Sequence, residues 1–358
     1  MITVTKTFFP PIEEYHKQTQ RIWDNKWLTN NGELCKELTS KLKSYLGVEQ
    51  MILMTNGTLP IQIALNAFGN EGEVITTPFS YVATTSAIVW EKCTPVFVDI
   101  HPDYLTIDET KIEAAITEKT SAILATHVYG NPCDVEAIER IAKKHNLKVI
   151  YDAAHSFGVT YKGKSMFNYG DVSTSSFHAT KLFHTGEGGA LFCNDEALFH
   201  QMHFRHNFGH DGKIDFHGVG INAKMSELQA AMGLCVLPYM GQIISNRKRI
   251  CDYYDKHLNF EKLQSLKIRP ETQWNYAYYP IFFESEDKLL EVERILNDNA
   301  ILPRRYFCPS LNTLTYLNRE DKCPVSESIA LRVICLPLYF GLEDKELRKI
   351  VELVNKVV

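Results

Sequence analysis

The chain has 358 residues, 45% of them hydrophobic and 23% charged, and its formal net charge is −5. This composition predicts a globular protein of two domains and excludes a disordered chain, and the lack of a long basic run argues against a nucleic-acid partner. Nine scattered cysteines without a Cys-x-x-Cys pair, together with the lack of a signal-peptide pattern or a membrane-length apolar run, predict a cytoplasmic protein with no membrane partner.

Short apolar runs alternate with amphipathic helical patterns through the first two-thirds of the chain. Strands are predicted at residues 51–54, 74–76, 96–98, 122–126, 149–152, 174–177 and 190–193. Helices are predicted between them at residues 34–46, 59–67, 83–90, 110–116 and 135–145. This alternation indicates an α/β fold with a mainly parallel seven-stranded sheet that is flanked by helices on both faces.

The pattern changes near Lys224, where a long helix begins. Pro238 interrupts or kinks this helix, which resumes over residues 243–254. Apolar runs at 276–283 and 332–336, with helical patterns at 288–296 and 345–354, then indicate a small α+β domain. We therefore expect a large domain with the amino-terminal segment over residues 1–235 and a small carboxyl-terminal domain over residues 236–358.

Asp152 ends the fifth predicted strand, at the edge where open α/β sheets bind ligands. A carboxylate at this position can keep a pyridine nitrogen protonated, so that the ring accepts electrons. The alternative is a helix N-cap or a turn aspartate, because aspartate is a preferred capping residue. This residue alone leaves both interpretations open.

Two further segments carry ligand-binding patterns. Lys181 lies between small hydroxyl residues and a glycine-rich turn, which suits an amine that attaches to a ligand near a phosphate. Residues 55–58 form a glycine turn between strand 51–54 and the next helix, an arrangement that places backbone N–H groups at a phosphate. An isolated lysine is usually a solvated surface group and Asn56-Gly57 is a common turn, so neither signal decides by itself.

These three elements, in this order, resemble the DegT/DnrJ/EryC1/StrS family, the sugar aminotransferase branch of the fold-type I pyridoxal-phosphate enzymes. The most specific block is Ser176-Phe177-His178-Ala179-Thr180-Lys181 with Gly186-Glu187-Gly188-Gly189. Residues 27–32, 78–84, 127–130, 220–227 and 336–337 also match. The resemblance therefore spans essentially the whole chain.

The resemblance implies two catalytic residues. Lys181 would hold the cofactor, pyridoxal 5'-phosphate, and move a proton during the reaction, while Asp152 would pair with the pyridine nitrogen. His155 stands where many members have glutamine and would hydrogen-bond the ring oxygen, since imidazole can also donate. Sugar dehydratases of the family carry histidine in place of the cofactor lysine, so the presence of Lys181 favours amino transfer.

The resemblance also implies further cofactor contacts. Tyr81 would stack on the pyridine ring, a role open to any aromatic side chain. The phosphate would be bound by Gly57, Thr58 and Ser176. Asn222 would reach the same phosphate from a neighbouring subunit, which makes a homodimer with shared active sites the minimal active unit.

The function implied by the resemblance is transfer of an amino group from L-glutamate to a nucleotide-linked keto sugar. Residues 10–32 look most like the members that aminate carbon 4, so we expect dTDP-4-keto-6-deoxy-D-glucose as substrate. The product would be a 4-amino-4,6-dideoxy sugar for surface polysaccharide, such as the O-antigen of lipopolysaccharide. The alternatives are amination at carbon 3 of a dTDP-3-keto-6-deoxyhexose, a non-catalytic regulatory protein with the same fold, or an enzyme acting on free amino acids.

Some features lie outside this resemblance. Four histidines recur at helical spacing, namely His200, His203, His206 and His210. No paired carboxylate accompanies them, so we predict no metal site. Aromatic residues alternate over 274–279 as in a strand, which favours packing over a binding platform. Lys224, Arg304 and Arg305 are candidates for contacting a sugar-nucleotide diphosphate, with an ordinary surface role as the alternative.

Overall fold

A seven-stranded sheet lies at the centre of the computed structural model, which describes residues 1–69 and 71–358. Its strands are β1 (Met51–Met54), β2 (Glu73–Thr76), β3 (Thr94–Phe97), β4 (Thr120–Thr126), β5 (Lys148–Asp152), β6 (Val172–Ser176) and β7 (Gly189–Phe192). They lie in the order β1-β7-β6-β5-β4-β2-β3. Strands β2 to β6 pair in parallel, whereas β7 is antiparallel to both of its neighbours. The predicted α/β fold with a mainly parallel sheet is confirmed.

Helices cover both faces of this sheet. Alternate side chains of β1 enter different core clusters, because successive strand residues point to opposite faces. Leu53 packs in the cluster of helix Glu33–Leu46, and Ile52 packs in the cluster of helix Leu59–Ala67. The α-helices of the described residues are Ile12–Asn25, Glu33–Leu46, Leu59–Ala67, Val82–Trp90, Glu109–Ile112, Val135–His145, Glu196–Arg205, Glu227–Val236, Met240–His257, Glu286–Asp298, Pro324–Arg332 and Asp344–Asn355.

The long helix expected after Lys224 is broken where Pro238 stands. Helix Glu227–Val236 passes through the 3-10 turn Leu237–Tyr239 into helix Met240–His257. The whole stretch is long and apolar enough to cross a membrane, contrary to our expectation from the sequence that no run has that length. Half of its most apolar window is nevertheless buried inside the protein, as in a core helix.

The carboxyl-terminal part has its own small sheet and core cluster. Strand Tyr279–Phe282 pairs antiparallel with Gln264–Ser265 on one side and with Val333–Leu336 on the other. Residues Ile2–Thr3 pair in parallel with Ile301–Leu302, so the start of the chain joins this part. The boundary between residues 235 and 236 stays a prediction.

The candidate site lies at the edge of the main sheet where β5 and β6 end. β5 ends at Asp152 and β6 ends at Ser176. Because β7 is antiparallel, it begins at Gly189, directly opposite Ser176. The loop of residues 177–188, which carries Lys181, therefore leaves and re-enters the sheet at this same edge.

Candidate active site

Asp152 is buried at the end of β5, with 7% of its surface exposed. Its Oδ2 accepts a hydrogen bond from the Thr84 hydroxyl at 2.7 Å, and its Oδ1 accepts one from the backbone N–H of Ala154 at 3.1 Å. Residues 153–159 form turns and not a helix. The N-cap interpretation is therefore wrong, whereas the contact with Ala154 is that of a turn aspartate. Neutral donors hold the carboxylate at the sheet edge.

Lys181 lies in a pocket that is also lined by His155, Ser176 and Tyr278. Its Nζ atom is 6.0 Å from the centroid of the Tyr278 ring. Burial lowers the pKa of Lys181 below its usual range, although the negative charge of Asp152 opposes that shift. The structure thus brings the candidate amine and the candidate carboxylate within electrostatic reach of each other.

His155 is buried against aromatic rings. Its imidazole meets the Tyr278 ring edge-on at 4.8 Å and lies nearly parallel to the Phe307 ring at 5.8 Å. Its Nδ1 accepts a hydrogen bond from the backbone N–H of Tyr129 at 3.0 Å. Burial, with a smaller contribution from the charge of Lys181, holds the pKa of His155 well below its usual range. The ring is therefore neutral at neutral pH.

The three candidate phosphate contacts meet at the start of helix Leu59–Ala67. A Cβ atom on Gly57 would lie 2.5 Å from the Cβ of Ser176, so only glycine lets the turn approach β6 this closely. Two backbone N–H groups of the turn, those of Thr58 and Leu59, donate to Oδ1 of Asn56 at 2.9 and 3.0 Å. The expected free N–H groups are thus partly engaged by Asn56, which leaves the hydroxyls of Thr58 and Ser176 as side-chain donors.

Tyr81 is on the open side of the site, with 59% of its surface exposed. It precedes helix Val82–Trp90 and lines a cleft of about 640 Å³. Arg304 and Tyr306 line the same cleft. Tyr81 lies close enough to Lys181 to act on its amine, whose pKa it raises. This cleft therefore opens beside the pocket that holds the amine.

Asn222 is exposed and does not line the pocket around Lys181 in the described chain. Its amide oxygen accepts a hydrogen bond from Nζ of Lys224 at 2.7 Å. The neighbouring hairpin, with strands His210–Asp211 and Asp215–Phe216, and the residues that follow it also expose apolar side chains. Ile214 and Val219 are each more than 80% exposed. The Asn222 side chain is therefore open to a neighbouring molecule, while Ala223 beside it accepts from the N–H of Thr55 at 2.8 Å, close to the turn at Gly57.

Tyr278 was missed by sequence reasoning, which assigned the aromatic run to packing in a strand. The strand covers only Tyr279–Phe282, and Tyr276 has a positive φ of 56°, which breaks the alternation. The Tyr278 ring consequently enters the pocket of Lys181. The only sequence signal was the density of aromatic residues, which does not separate packing from ligand contact.

A buried arginine fixes the segment before Tyr278. Arg247, on helix Met240–His257, donates to the carbonyl oxygens of Tyr276 at 2.8 Å and of Ala277 at 2.5 Å. Burial lowers the pKa of Arg247 to about 10. The Asn275 amide donates to the carbonyl of His155 at 2.8 Å. These contacts join the connector helix, the Tyr278 ring and the His155 loop.

Two of the three candidate diphosphate cations, Arg304 and Arg305, line the cleft beside Tyr81, and their contacts differ. Lys224 donates to Asn207 and Asn222, and Arg305 forms an ion pair with Glu286 at 2.9 Å. Arg304 is exposed, and among residues 1–69 and 71–358 it has no carboxylate within 4.0 Å. Within the same described ranges, no group of three or more histidine, cysteine, aspartate or glutamate residues is arranged to hold a metal ion.

Comparison with known proteins gives a consistent assignment. The DegT/DnrJ/EryC1/StrS aminotransferase family matches residues 11–355. A dTDP-4-amino-4,6-dideoxy-D-glucose transaminase of Shigella dysenteriae is 42% identical and covers 99% of both chains. A protein of the same name from Escherichia coli is 41% identical and covers 98% of this chain and 97% of its own.

A solved structure, that of DesI in the presence of its TDP-sugar product, is 30% identical with a TM-score of 0.94. The match covers 99% of this chain and 92% of that chain. Fold and sequence therefore point to the same group of proteins. This chain belongs to the DegT/DnrJ/EryC1/StrS aminotransferase family.

Proposed function

We propose that this aminotransferase uses pyridoxal 5'-phosphate and L-glutamate to convert dTDP-4-keto-6-deoxy-D-glucose to the 4-amino-4,6-dideoxy sugar. The observation that carries the proposal is the convergence of Lys181, His155 and Ser176 on one pocket beside Asp152. The names of the two relatives support the sugar nucleotide and the carbon. We further propose that the reaction is cytoplasmic and supplies surface polysaccharide.

The donors and acceptors around this pocket fit the cofactor. Asp152 offers a carboxylate for a protonated ring nitrogen, and His155 offers a single N–H for the ring oxygen. The turn at Gly57 lies directly on Ser176, which places a hydroxyl-lined cradle for phosphate next to the amine. Tyr81 would cover the ring from the open side.

When bound, the cofactor supplies a ring that accepts electrons from the carbon at which the proton is removed. Asp152 would hold a proton on the ring nitrogen, because the donors to its buried carboxylate, Thr84 and Ala154, are neutral and leave its negative charge in place. Lys181 would attach to the cofactor and then carry the proton between carbons. Its lowered pKa increases the neutral fraction that can attack and accept a proton.

A second subunit would complete the site. We propose that Asn222 contacts the phosphate bound by the neighbouring chain, since its side chain is exposed to a neighbouring molecule. The exposed apolar side chains of the adjoining hairpin and the residues that follow it, including Ile214 and Val219, support a contact with that neighbour. The minimal active unit would then be a homodimer.

Two measurements test the proposal. The purified protein should have a visible absorption band that borohydride abolishes, with the reduced adduct located on Lys181 by peptide mass spectrometry. Product analysis with glutamate and a panel of dTDP-, UDP- and GDP-linked keto sugars then identifies the substrate. Amination at carbon 4 of the dTDP sugar is the expected result, and amination at carbon 3 would support the alternative. A protein with neither the visible absorption band nor turnover of any keto sugar would support the alternative of a non-catalytic regulatory protein.

A further inference from the structure

The cleft beside Tyr81 contains a cation that is free to bind a ligand. Arg304 lines this cleft of about 640 Å³, and its guanidinium lies 5.6 Å from the centroid of the Tyr306 ring. Among the residues that the structure describes, no carboxylate lies within ion-pair distance of Arg304. Glu293, the acidic residue in the lining of this cleft, thus forms no salt bridge with the guanidinium.

The backbone of Arg304 is fixed although its side chain is free. Its N–H donates to the carbonyl of Cys335 at 3.3 Å, and its carbonyl accepts from the N–H of Cys335 at 2.8 Å. Two residues later, the hydroxyl of Tyr129 donates to the carbonyl of Tyr306. Because both ends of this short segment are anchored, the backbone that carries the two side chains is fixed beside the cleft.

Tyr306 lies near both Arg304 and the amine. Burial raises the pKa of Tyr306, and the positive charges of Arg304 and Lys181 oppose that shift, so its hydroxyl is near both. The Tyr306 ring also meets the Tyr278 ring edge-on at 5.4 Å. Arg304 lines the cleft, whereas Lys181 lines the neighbouring pocket, so Arg304 faces a part of a bound ligand other than the part at the amine.

We propose that Arg304 binds the diphosphate of the sugar nucleotide. This inference rests on the proposed function, in which the reacting carbon is carbon 4. In a hexose, carbon 4 lies across the ring from carbon 1, which carries the diphosphate. The α-carboxylate of glutamate is instead attached to the reacting carbon, so it must lie close to Lys181. A guanidinium matches phosphate oxygens in a two-pronged contact.

The test measures nucleotide binding and needs no turnover. Binding of dTDP and of thymidine to the holoenzyme is measured by calorimetry for the wild type and for Arg304→Gln. The dissociation constant for dTDP should rise roughly 10- to 100-fold, as expected for loss of a charge-assisted contact, and that for thymidine should not change. Arg304→Lys should fall between them, because it keeps the charge and loses the planar fork.

Arg294→Gln is the matched control. It removes the same charge from helix Glu286–Asp298, whose residues Glu293 and Asn297 line the cleft, but it alters only the exposed pair with Asp298. Equal effects of Arg294→Gln and Arg304→Gln on dTDP binding would overturn the proposal. So would a rise in KM for glutamate without a change for dTDP, because Arg304 would then bind the donor.

Failure of this inference can be told apart from failure of the proposed function. If UDP or GDP binds instead of dTDP and depends on Arg304, the proposed nucleotide is wrong and the role of Arg304 is supported. If dTDP binds equally to wild type and Arg304→Gln while the dTDP sugar is still aminated, the function stands and this inference fails. Binding of no nucleoside diphosphate would also refute it.

Discussion

The backbone N–H of Tyr129 donates to Nδ1 of His155 at 3.0 Å, and this contact selects one tautomer of the imidazole. Because Nδ1 accepts, the single proton of the neutral ring is on Nε2. Burial keeps the pKa of His155 well below its usual range, so the ring does not gain a second proton at neutral pH. His155 therefore presents one N–H donor, as a glutamine amide would.

His155→Gln should consequently retain turnover within about tenfold of the wild type, which corresponds to roughly 1.4 kcal/mol of barrier. His155→Leu has a similar volume but no donor, and should lose much more than tenfold. Steady-state kcat and the cofactor absorption maximum measure both effects. Equal turnover of the two variants would contradict a donor role for this ring.

Asp152→Asn should bind the cofactor but lose turnover by orders of magnitude, because an amide cannot hold a proton on the ring nitrogen. The amide still accepts from Thr84, so folding should be preserved. Thr84→Val is the control, since it removes that hydrogen bond and keeps the carboxylate. A loss smaller than about tenfold for Asp152→Asn, or about 1.4 kcal/mol, would show that the electronic role is wrong.

Lys181→Ala should abolish turnover while fold and oligomer stay intact. Its amine makes no hydrogen bond or ion pair within the described residues, so the structure does not depend on it. The variant should retain the cofactor together with the amino-sugar product, because no resident amine remains to release them. Absorbance and native mass spectrometry read this complex. Lys164→Ala, a substitution outside the site, should behave as wild type. Transamination by Lys181→Ala would show that Lys181 is not the catalytic lysine.

Asn222→Ala should weaken cofactor retention if Asn222 completes the neighbour's phosphate site. Dialysis followed by absorbance measures retention, and sedimentation measures the oligomer. Asn207→Ala is a suitable control, because Asn207 also accepts from Lys224 and pairs with Asn222 in an isolated bridge. A fully active monomer would refute the shared site.

The stability of the fold should fall in acid because of His127. This residue is fully buried, its Nδ1 accepts from the N–H of Cys133, and burial lowers its pKa to about 3. The unfolded state gains a proton near pH 6.5, so between about pH 6.5 and 3 it binds more protons than the folded state. The free energy of unfolding should drop by up to about 1.4 kcal/mol per pH unit from this residue.

Urea unfolding at several pH values measures that slope. His127→Gln should be less stable at pH 7.5 but should show a shallower loss towards pH 5. His200→Gln, at an exposed position, should keep the wild-type slope. Identical slopes for the wild type and His127→Gln would contradict this account.

The sheet was predictable because its strands are short apolar runs bounded by polar turns. The predicted segment 51–54 coincides with β1, and 149–152 differs from β5 by one residue. The reversed direction of β7 was not predictable, since a loop without a helix does not fix pairing direction. Helix Ile12–Asn25 was missed although its sequence is amphipathic, because its apolar residues are few and only Ile22 is buried.

The candidate site was predictable where motifs are contiguous and unpredictable where distant segments meet. Asp152, Lys181 and Gly57 were identified from local patterns, and the structure places them at one sheet edge. Tyr278 reaches the same pocket from a segment about 100 residues further along the chain than Lys181. Its position depends on the positive φ of Tyr276 and on Arg247, neither of which has a pattern in the sequence.

The contact of Arg247 with two carbonyl oxygens should be insensitive to ionic strength. Surface ion pairs such as Arg249 with Asp344 are screened as salt is added. Arg247 is buried and faces backbone dipoles, so mobile ions have little access to its contact. Helix Met240–His257 should therefore remain bonded to the Tyr278 segment at salt concentrations that screen the surface ion pairs.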